Sequence, residues 1–430
     1  MKWLLALLAA LLPLPAAAQA VLIQGARVFD GSGHRAQVRD VLVRGERIVQ
    51  VRRHVKPPAD ARVVDARGLT LLPGLHDLHI HTRQQAFQDA FRFAEAYSPY
   101  LARGVTSVNE YSVSGPMLQG IRAFPGPAPH IALAIRLGVP DGHGTESRFT
   151  NSITSQVTTP GEAHAAMTAA LVYRPDVIKV FADGWRYGDP GRPDRPSMDL
   201  ATLAAIVADA HRAGIPVVTH TVTLAGARIA ARAGVDAVVH GIGDAPVDAE
   251  LIRLMKRHRM AYVPTMVVYE PQENRSFLPE EWPLLSDEDQ ADERARMAKP
   301  PEPIAPYDSK RWAILQENLR RLHAAHVRIG VGTDTGIGGV GPGWSTIREI
   351  RWLVTLGFKP REALAAATSV SAGIMGQGKS HGRIRKGQRA DLVLTGGRPD
   401  ERIEDLYDVR HVFVSGREVD LPVRRAAIAR

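Results

Sequence analysis

The residues of this chain best equipped for chemistry are four histidines, a lysine and an aspartate. His79 and His81 stand one residue apart in Leu72-Pro-Gly-Leu-His-Asp-Leu-His-Ile-His-Thr82. Lys179 lies inside the apolar run Val177-Ile-Lys-Val-Phe181, and His220, His240 and Asp334 close Val217-Val-Thr-His220, Val238-Val-His240 and Gly330-Val-Gly-Thr-Asp334. Imidazole and carboxylate are the donors that borderline divalent metals take. The chain has no cysteine, so thiolate ligands and disulfides are excluded. Taken singly, each group is ordinary. A His-x-His is commonly a surface pair, and a histidine closing a strand is commonly a hydrogen-bonded core residue. A lysine in an apolar run reaches solvent along its stem, and an aspartate after a strand caps a turn or helix. The recurrence of such groups at the same end of successive β-like runs is what points to a metal site.

Strand alternation puts Asp77, His79 and His81 on one face and Leu78 and Ile80 on the other. Asp77 is then placed to orient a histidine from behind, and His76, on the other face, reads as structural. Between about 73 and 380, strand-like and helix-like segments alternate. Expected strands are 74–82, 105–110, 130–137, 177–181, 216–220, 237–240, 261–267 and 329–333. Helical patterns at 200–213, 225–233, 248–258, 310–325 and 346–356 lie between or after them. Eight strands with crossover helices imply an α/β fold, a (β/α)8 TIM barrel, whose active sites lie at the C-terminal strand ends. Residues 21–72 and 381–430 are β-rich with glycine turns, and neither end alone can bury a sheet face. The expected organisation is therefore a barrel over 73–380 and a small β-sandwich built from both chain ends. Residues 269–308 form a Pro- and charge-rich insertion after the seventh strand, long enough to be a lid or disordered.

Lys2, the apolar run Trp3–Leu14 and Ala18-Gln-Ala20 have the order of a secretory signal peptide, residues 1–20, cleaved after Ala20. The run is short for a bilayer, so the expected product is exported, periplasmic or secreted, with no stable membrane insertion. The balance is 54 basic against 45 acidic residues, a net of +9. The charges are interspersed, with no basic tract among aromatics, so no nucleic-acid partner is expected and the charge speaks to solubility. Homo-oligomerisation stays open.

The ordered set His79, His81, Lys179, His220, His240 and Asp334 resembles the ligand pattern of the amidohydrolase superfamily, over nearly the whole mature length. The first strand resembles that family's Pro-Gly-x-x-Asp-x-His-x-His signature. The tail Arg361-Glu-Ala-Leu-Ala-Ala-Ala-Thr368, followed by Gly387-Gln-Arg-Ala-Asp391-Leu-Val-Leu, resembles the family's return to its β-sandwich. Val177-Ile-Lys179-Val-Phe and the Ala233-Gly-Val-Asp-Ala-Val-Val stretch before His240 point to the imidazolonepropionase- and prolidase-like branch. That branch includes hydrolases of Xaa-Pro and Xaa-Arg dipeptides, N-acyl amino acids and ochratoxin-type amides.

The resemblance implies two divalent metal ions, zinc by default, with manganese, cobalt or iron as alternatives. It implies that His79, His81 and Asp334 hold one, that His220 and His240 hold the other, and that Lys179 bridges them as a carbamate. A hydroxide between the metals would be the nucleophile, and Asp334 the catalytic general base and acid. The expected reaction is hydrolysis of a C–N amide bond in a small molecule, an N-acyl amino acid or dipeptide with a free carboxylate. A cyclic amidase or lactonase with the same metal site is the first alternative. The second is a non-catalytic periplasmic binding protein, against which all six positions carry competent residues. Candidate substrate contacts are His143 in a glycine-rich loop, Tyr269 at the end of the seventh strand, and Arg186, with Tyr187, after the fourth. The chain departs from the branch at Asn109-Glu110-Tyr111, His220-Thr-Val222 and Gly341-Pro-Gly-Trp344, all where substrate is read.

Overall fold

The computed structural model describes residues 20–184, 194–300 and 302–420. Arg186, Tyr187 and all but the last residue of the expected leader lie outside them. Five strands come first: β1 (Ala20–Val28), β2 (Gln37–Arg44), β3 (Arg47–Arg52), β4 (Ala61–Asp65) and β5 (Thr70–Pro73). The barrel strands follow: β6 (Leu75–Ile80), β7 (Val105–Glu110), β8 (His130–Gly138), β9 (Thr154–Gln156), β10 (Val177–Phe181), β11 (Val217–His220), β12 (Ala237–Val239) and β13 (Ala261–Val263). The chain ends with β14 (Leu392–Thr395), β15 (Val409–Val414) and β16 (Arg417–Glu418).

One sheet is assembled from both ends in the order β16-β15-β14-β5-β1-β2-β3, with β4 also on β1. The join is antiparallel: Leu392 pairs with Pro73 and Val393 with Leu72. Alternation in β1 explains how both faces are buried. Val21 and Ile23 pack with Val41, Leu392 and Phe413 on one side, while Ala20 and Leu22 pack with Leu42 and Val55 on the other. The second sheet is parallel along β6-β7-β8-β10-β11-β12-β13, with β9 on β8. Its crossover helices are started by side chains that accept first-turn backbone N–H groups, as Asp199 does for Leu200–Arg212 and Asp248 for Ala249–His258.

Three expectations need correction. The eighth strand, at 329–333, does not form a ladder. The segment closes the barrel through single backbone hydrogen bonds on both sides: Gly330 N–H to the Tyr262 carbonyl, Leu78 N–H to Val331 and Asp334 N–H to His79. Gly330 and Gly332 explain this. A Cβ on Gly332 would lie 2.7 Å from a Val263 methyl and 3.2 Å from the His79 Cβ, so the approach demands glycine and forfeits strand propensity. The seventh strand stops at Val263, and Met266–Tyr269 is helical. Strict alternation in β6 also fails. The β6–β7 register slips between Asp77 and Ile80, Leu78 joins the barrel interior with Val177, Val218 and Val263, and Asp77 turns away from the imidazoles. Its carboxylate accepts from the backbone N–H groups of His79 and Thr333 and from the hydroxyls of Thr333 and Thr346, so it meets His79 at the backbone and pins the closing segment and the following helix to β6.

The insertion is built rather than loose. Phe277, Trp282, Leu284 and Leu285 pack on Val267, Val340 and Trp344. Beneath them, the buried Arg348 donates two hydrogen bonds to Glu270, one to Glu281 and one to the Ser276 carbonyl. Glu281 also accepts from Tyr407 and pairs with Arg351. Removing one partner of a buried ion pair strands the other, at a cost of about 3–5 kcal/mol. Arg348→Ala should therefore lose about that much stability in denaturant unfolding. A loss below about 1 kcal/mol would show that these charges do not hold the insertion.

Candidate metal centre

Every imidazole of the centre sits where a barrel strand ends. The Nε2 atoms of His79 and His81 are 3.1 Å apart. Asp334 Oδ1 lies 3.2 Å from the first and 3.0 Å from the second. Three donors at tetrahedral angles around one zinc-sized ion are separated by roughly 3.3 Å, given bonds of about 2.0–2.1 Å, so this triangle matches an ion's own demands. The His240 ring is 4.7 Å from that of His79 and 4.4 Å from that of His220, and its Nδ1 is 4.0 Å from Asp334 Oδ2. Lys179 is buried, its Nζ 4.9 Å from the centre of the Tyr111 ring, which itself stacks on His79 at 4.5 Å. The ammonium nitrogen has no hydrogen-bond partner among the described residues. A buried amine left in that state asks for a ligand or a covalent change.

The electrostatics agree with metal binding. Burial holds His79, His220 and His240 well below the usual imidazole range, which keeps their lone pairs available. Burial alone would raise Asp334, but His240, His79 and His81 outweigh it and keep the carboxylate ionised. Burial brings the Lys179 ammonium down to about 7; Asp334 resists this, and Arg136, its neighbour in register on β8, reinforces it. An amine that sheds its proton near neutrality can add carbon dioxide, and the carbamate formed is a carboxylate on a long arm.

The ligand candidates are braced from behind. Glu110 accepts from the backbone N–H groups of Thr82 and Ser112, and the Ser112 hydroxyl meets His81 Nδ1 at 2.8 Å. Thr265 Oγ1 lies 3.1 Å from His240 Nδ1. Such partners fix a ring's tautomer and direction. His240, Thr265 and Asp334 have φ of 85°, 46° and 64°, a left-handed backbone that costs non-glycine residues energy and is retained where geometry matters.

The structure brings His79, His81, Lys179, His220, His240 and Asp334 together. It also places His143 beside His220 (ring centres 3.9 Å apart) and Tyr269 within 6.1 Å of His240. Arg186 lies outside the described residues. Sequence reading missed Asp183, Arg136 and Arg311. Asp183 was findable, as an acidic residue just past the Lys179 strand; its Oδ2 accepts from the Val222 N–H and lies 3.9 Å from His220 Nε2. Arg136 is a buried charge in an apolar run, the same signal as Lys179. Arg311 gives no local signal: it lies in the helix Pro306–Ala324 and its guanidinium sits 4.2 Å over the Tyr269 ring. A cavity of about 760 Å³, lined among others by Asp183, Val222, Tyr307, Lys310 and Arg311, opens beside the centre. On the His81 side, a second cavity of about 310 Å³ is walled by Ser286, Glu288 and Asp289 of the insertion.

Comparison with known proteins follows the same lines. The family model described as the amidohydrolase family matches residues 70–419. Among curated proteins, a dihydroorotase of Geotalea daltonii is 38% identical over 88 residues, 20% of this chain and 21% of that one. The chain thus matches only about a fifth of the length of that relative. Among solved structures, one from Bifidobacterium longum, provisionally named a prolidase, aligns over 94% of this chain and 95% of its own, with 26% identity and a TM-score of 0.74. A prolidase complexed with N-methylphosphonate-L-proline aligns over 93% and 99%, with 25% identity and a TM-score of 0.74.

Proposed function

Because the chain belongs to the amidohydrolase family, we propose that it is a binuclear metal-dependent hydrolase of a small C–N amide, an N-acyl amino acid or dipeptide with a free carboxylate. One observation carries the reading: His79, His81 and Asp334 converge to within 3.2 Å of one another beside a buried Lys179 amine with no hydrogen-bond partner among the described residues. His79, His81 and Asp334 would hold one divalent ion, zinc by preference with manganese, cobalt or iron as substitutes. His220 and His240 would hold the other, and Lys179, carbamylated, would span the two. Bound metals would supply water activated near neutral pH and polarise the scissile carbonyl. Asp334 Oδ2, the oxygen turned away from His79 and His81, takes the proton of the attacking water and returns it to the leaving amine. His240, His79 and His81 keep that carboxylate ionised against the effect of burial, and His143, beside His220, is placed to meet the substrate carbonyl.

Arg311 and Lys310 supply positive charge to the larger cavity, which Asp183, Asp194 and Asp244 also line, and Tyr269 gives Arg311 a surface to lie on. We assign them to the substrate carboxylate, a hydrogen-bonded charge worth roughly 1.5–3 kcal/mol. A screen of metal-loaded protein against N-acyl amino acids, dipeptides, hydantoin-like rings and lactones tests the reading. Acyclic amides with a free carboxylate should be the best substrates, and capping the carboxylate should abolish the preference. Arg311→Ala should raise KM for these substrates roughly ten- to a hundredfold while leaving capped ones unchanged. Turnover confined to rings or lactones would establish the alternative, and no turnover at all would favour a binding protein.

Lys2, the Trp3–Leu14 run and Ala18-Gln-Ala20 support export of this activity to the periplasm or medium. Among the described residues no helix is long and apolar enough to cross a membrane. N-terminal sequencing of the mature protein should begin at Val21; a protein retaining Met1 would refute the cleavage.

A further inference from the structure

A second group of metal-type donors lies at the other end of the barrel, where its strands begin. His76 pairs in register with Ser107, and Ser107 with His130, so the three form one row across β6, β7 and β8. The segment returning to the sandwich brings His381 and Asp391 against this row. His130 Nε2 is 3.0 Å from Asp391 Oδ1, His381 Nε2 is 3.8 Å from Asp391 Oδ2, and the two rings meet edge to face at 5.3 Å. One donor atom from each of His130, His381 and Asp391 falls within 4.8 Å of the other two. The ligands are also held as metal ligands are held: Ser380 Oγ meets His381 Nδ1 at 2.7 Å, and the Ser415 N–H donates to Asp391 Oδ1 at 2.7 Å.

An ordinary His–Asp hydrogen bond accounts for one contact in this group and leaves the rest unexplained. His76 is 3% exposed; the Gly74 backbone lies against its ring, and neither ring nitrogen makes a well-formed hydrogen bond among the described residues. Ser107 Oγ and Asp391 Oδ2, buried in the same place, are likewise without one. Buried polar atoms are satisfied in the great majority of cases, so several orphans in one spot mark a missing partner. Two imidazoles and a carboxylate suit a zinc-type ion.

We propose that His130, His381 and Asp391 form a separate site for one divalent transition-metal ion of the zinc type. The ion would fasten the returning segment at 380–391 to the start of β8, joining sandwich to barrel. It takes no part in hydrolysis, since its ligands sit at the strand ends opposite His79 and His220. His130 and His381 side chains are 29% and 13% exposed, so an ion can enter from solvent.

Zinc equivalents retained after loading and desalting, counted by elemental mass spectrometry, test this. The unaltered protein should carry one equivalent more than His381→Gln and His130→Gln, and both variants should keep the hydrolytic rate. Because a variant can misfold, the unaltered protein supplies the second measurement. With zinc about ten times above its dissociation constant, modification of His130 and His381 by diethyl pyrocarbonate should slow roughly tenfold. Equal zinc content in folded variants and unaltered protein, or modification rates indifferent to zinc, would overturn the proposal.

Discussion

Lys179→Ala should yield a folded protein that has lost its hydrolytic metal pair and on the order of 10³-fold or more of its activity, because water activated near neutrality is what the pair supplies. Folding should survive because the change removes a buried amine with no hydrogen-bond partner, a group whose desolvation already brings its pKa down to about 7. Short carboxylic acids should restore part of the rate, since the vacated space among His79, His220 and His240 would accept a free carboxylate in place of the carbamate. Elemental analysis and a rate assay with and without propionate read all three effects. Full activity with unchanged metal content would mean that Lys179 bridges nothing.

Asp334→Asn should separate proton transfer from metal binding. Asparagine tolerates the left-handed backbone that Asp334 adopts at φ 64°, and its carbonyl oxygen can still face His79 and His81. The fold and most of the metal should therefore remain, while kcat falls about 10²–10⁴-fold, the range of a lost general base. KM should change little, because the carboxylate acts on the proton in flight and not on the substrate's binding groups. A kcat within a few-fold of the original would assign the proton to another group, with Asp183 next in line through its position beside His220.

The barrel and two-ended sheet were legible because their signals are local and repeated: short β-branched runs, capped amphipathic helices, glycine turns. The six metal-type residues were legible for a related reason, since a parallel barrel turns strand ends into neighbours however far apart they lie in sequence. What escaped depended on geometry that sequence spacing does not encode. The slip in β6 turned Asp77 from the rings to Thr333 and Thr346. The closing segment lost its ladder to the close approach that Gly330 and Gly332 permit. The length of the insertion leaves lid and disorder open; that it packs follows from Glu270 and Glu281, buried partners of Arg348, a residue from a helix beyond the barrel's last segment. Arg311 reaches the site from a helix, where strand-end reasoning does not look. His76 read as structural by alternation, and it is buried, but among histidines and an aspartate that the same alternation did not connect.

The central claim is that six residues from five barrel segments hold a pair of metal ions bridged by a modified lysine. Crystals of the zinc-loaded protein, with anomalous difference maps recorded at the zinc edge, test it most directly. Two peaks are expected among His79, His81, Lys179, His220, His240 and Asp334, with electron density continuing beyond Lys179 Nζ into a carbamate. A single peak, no peak, or a lysine that ends at its amine would contradict it.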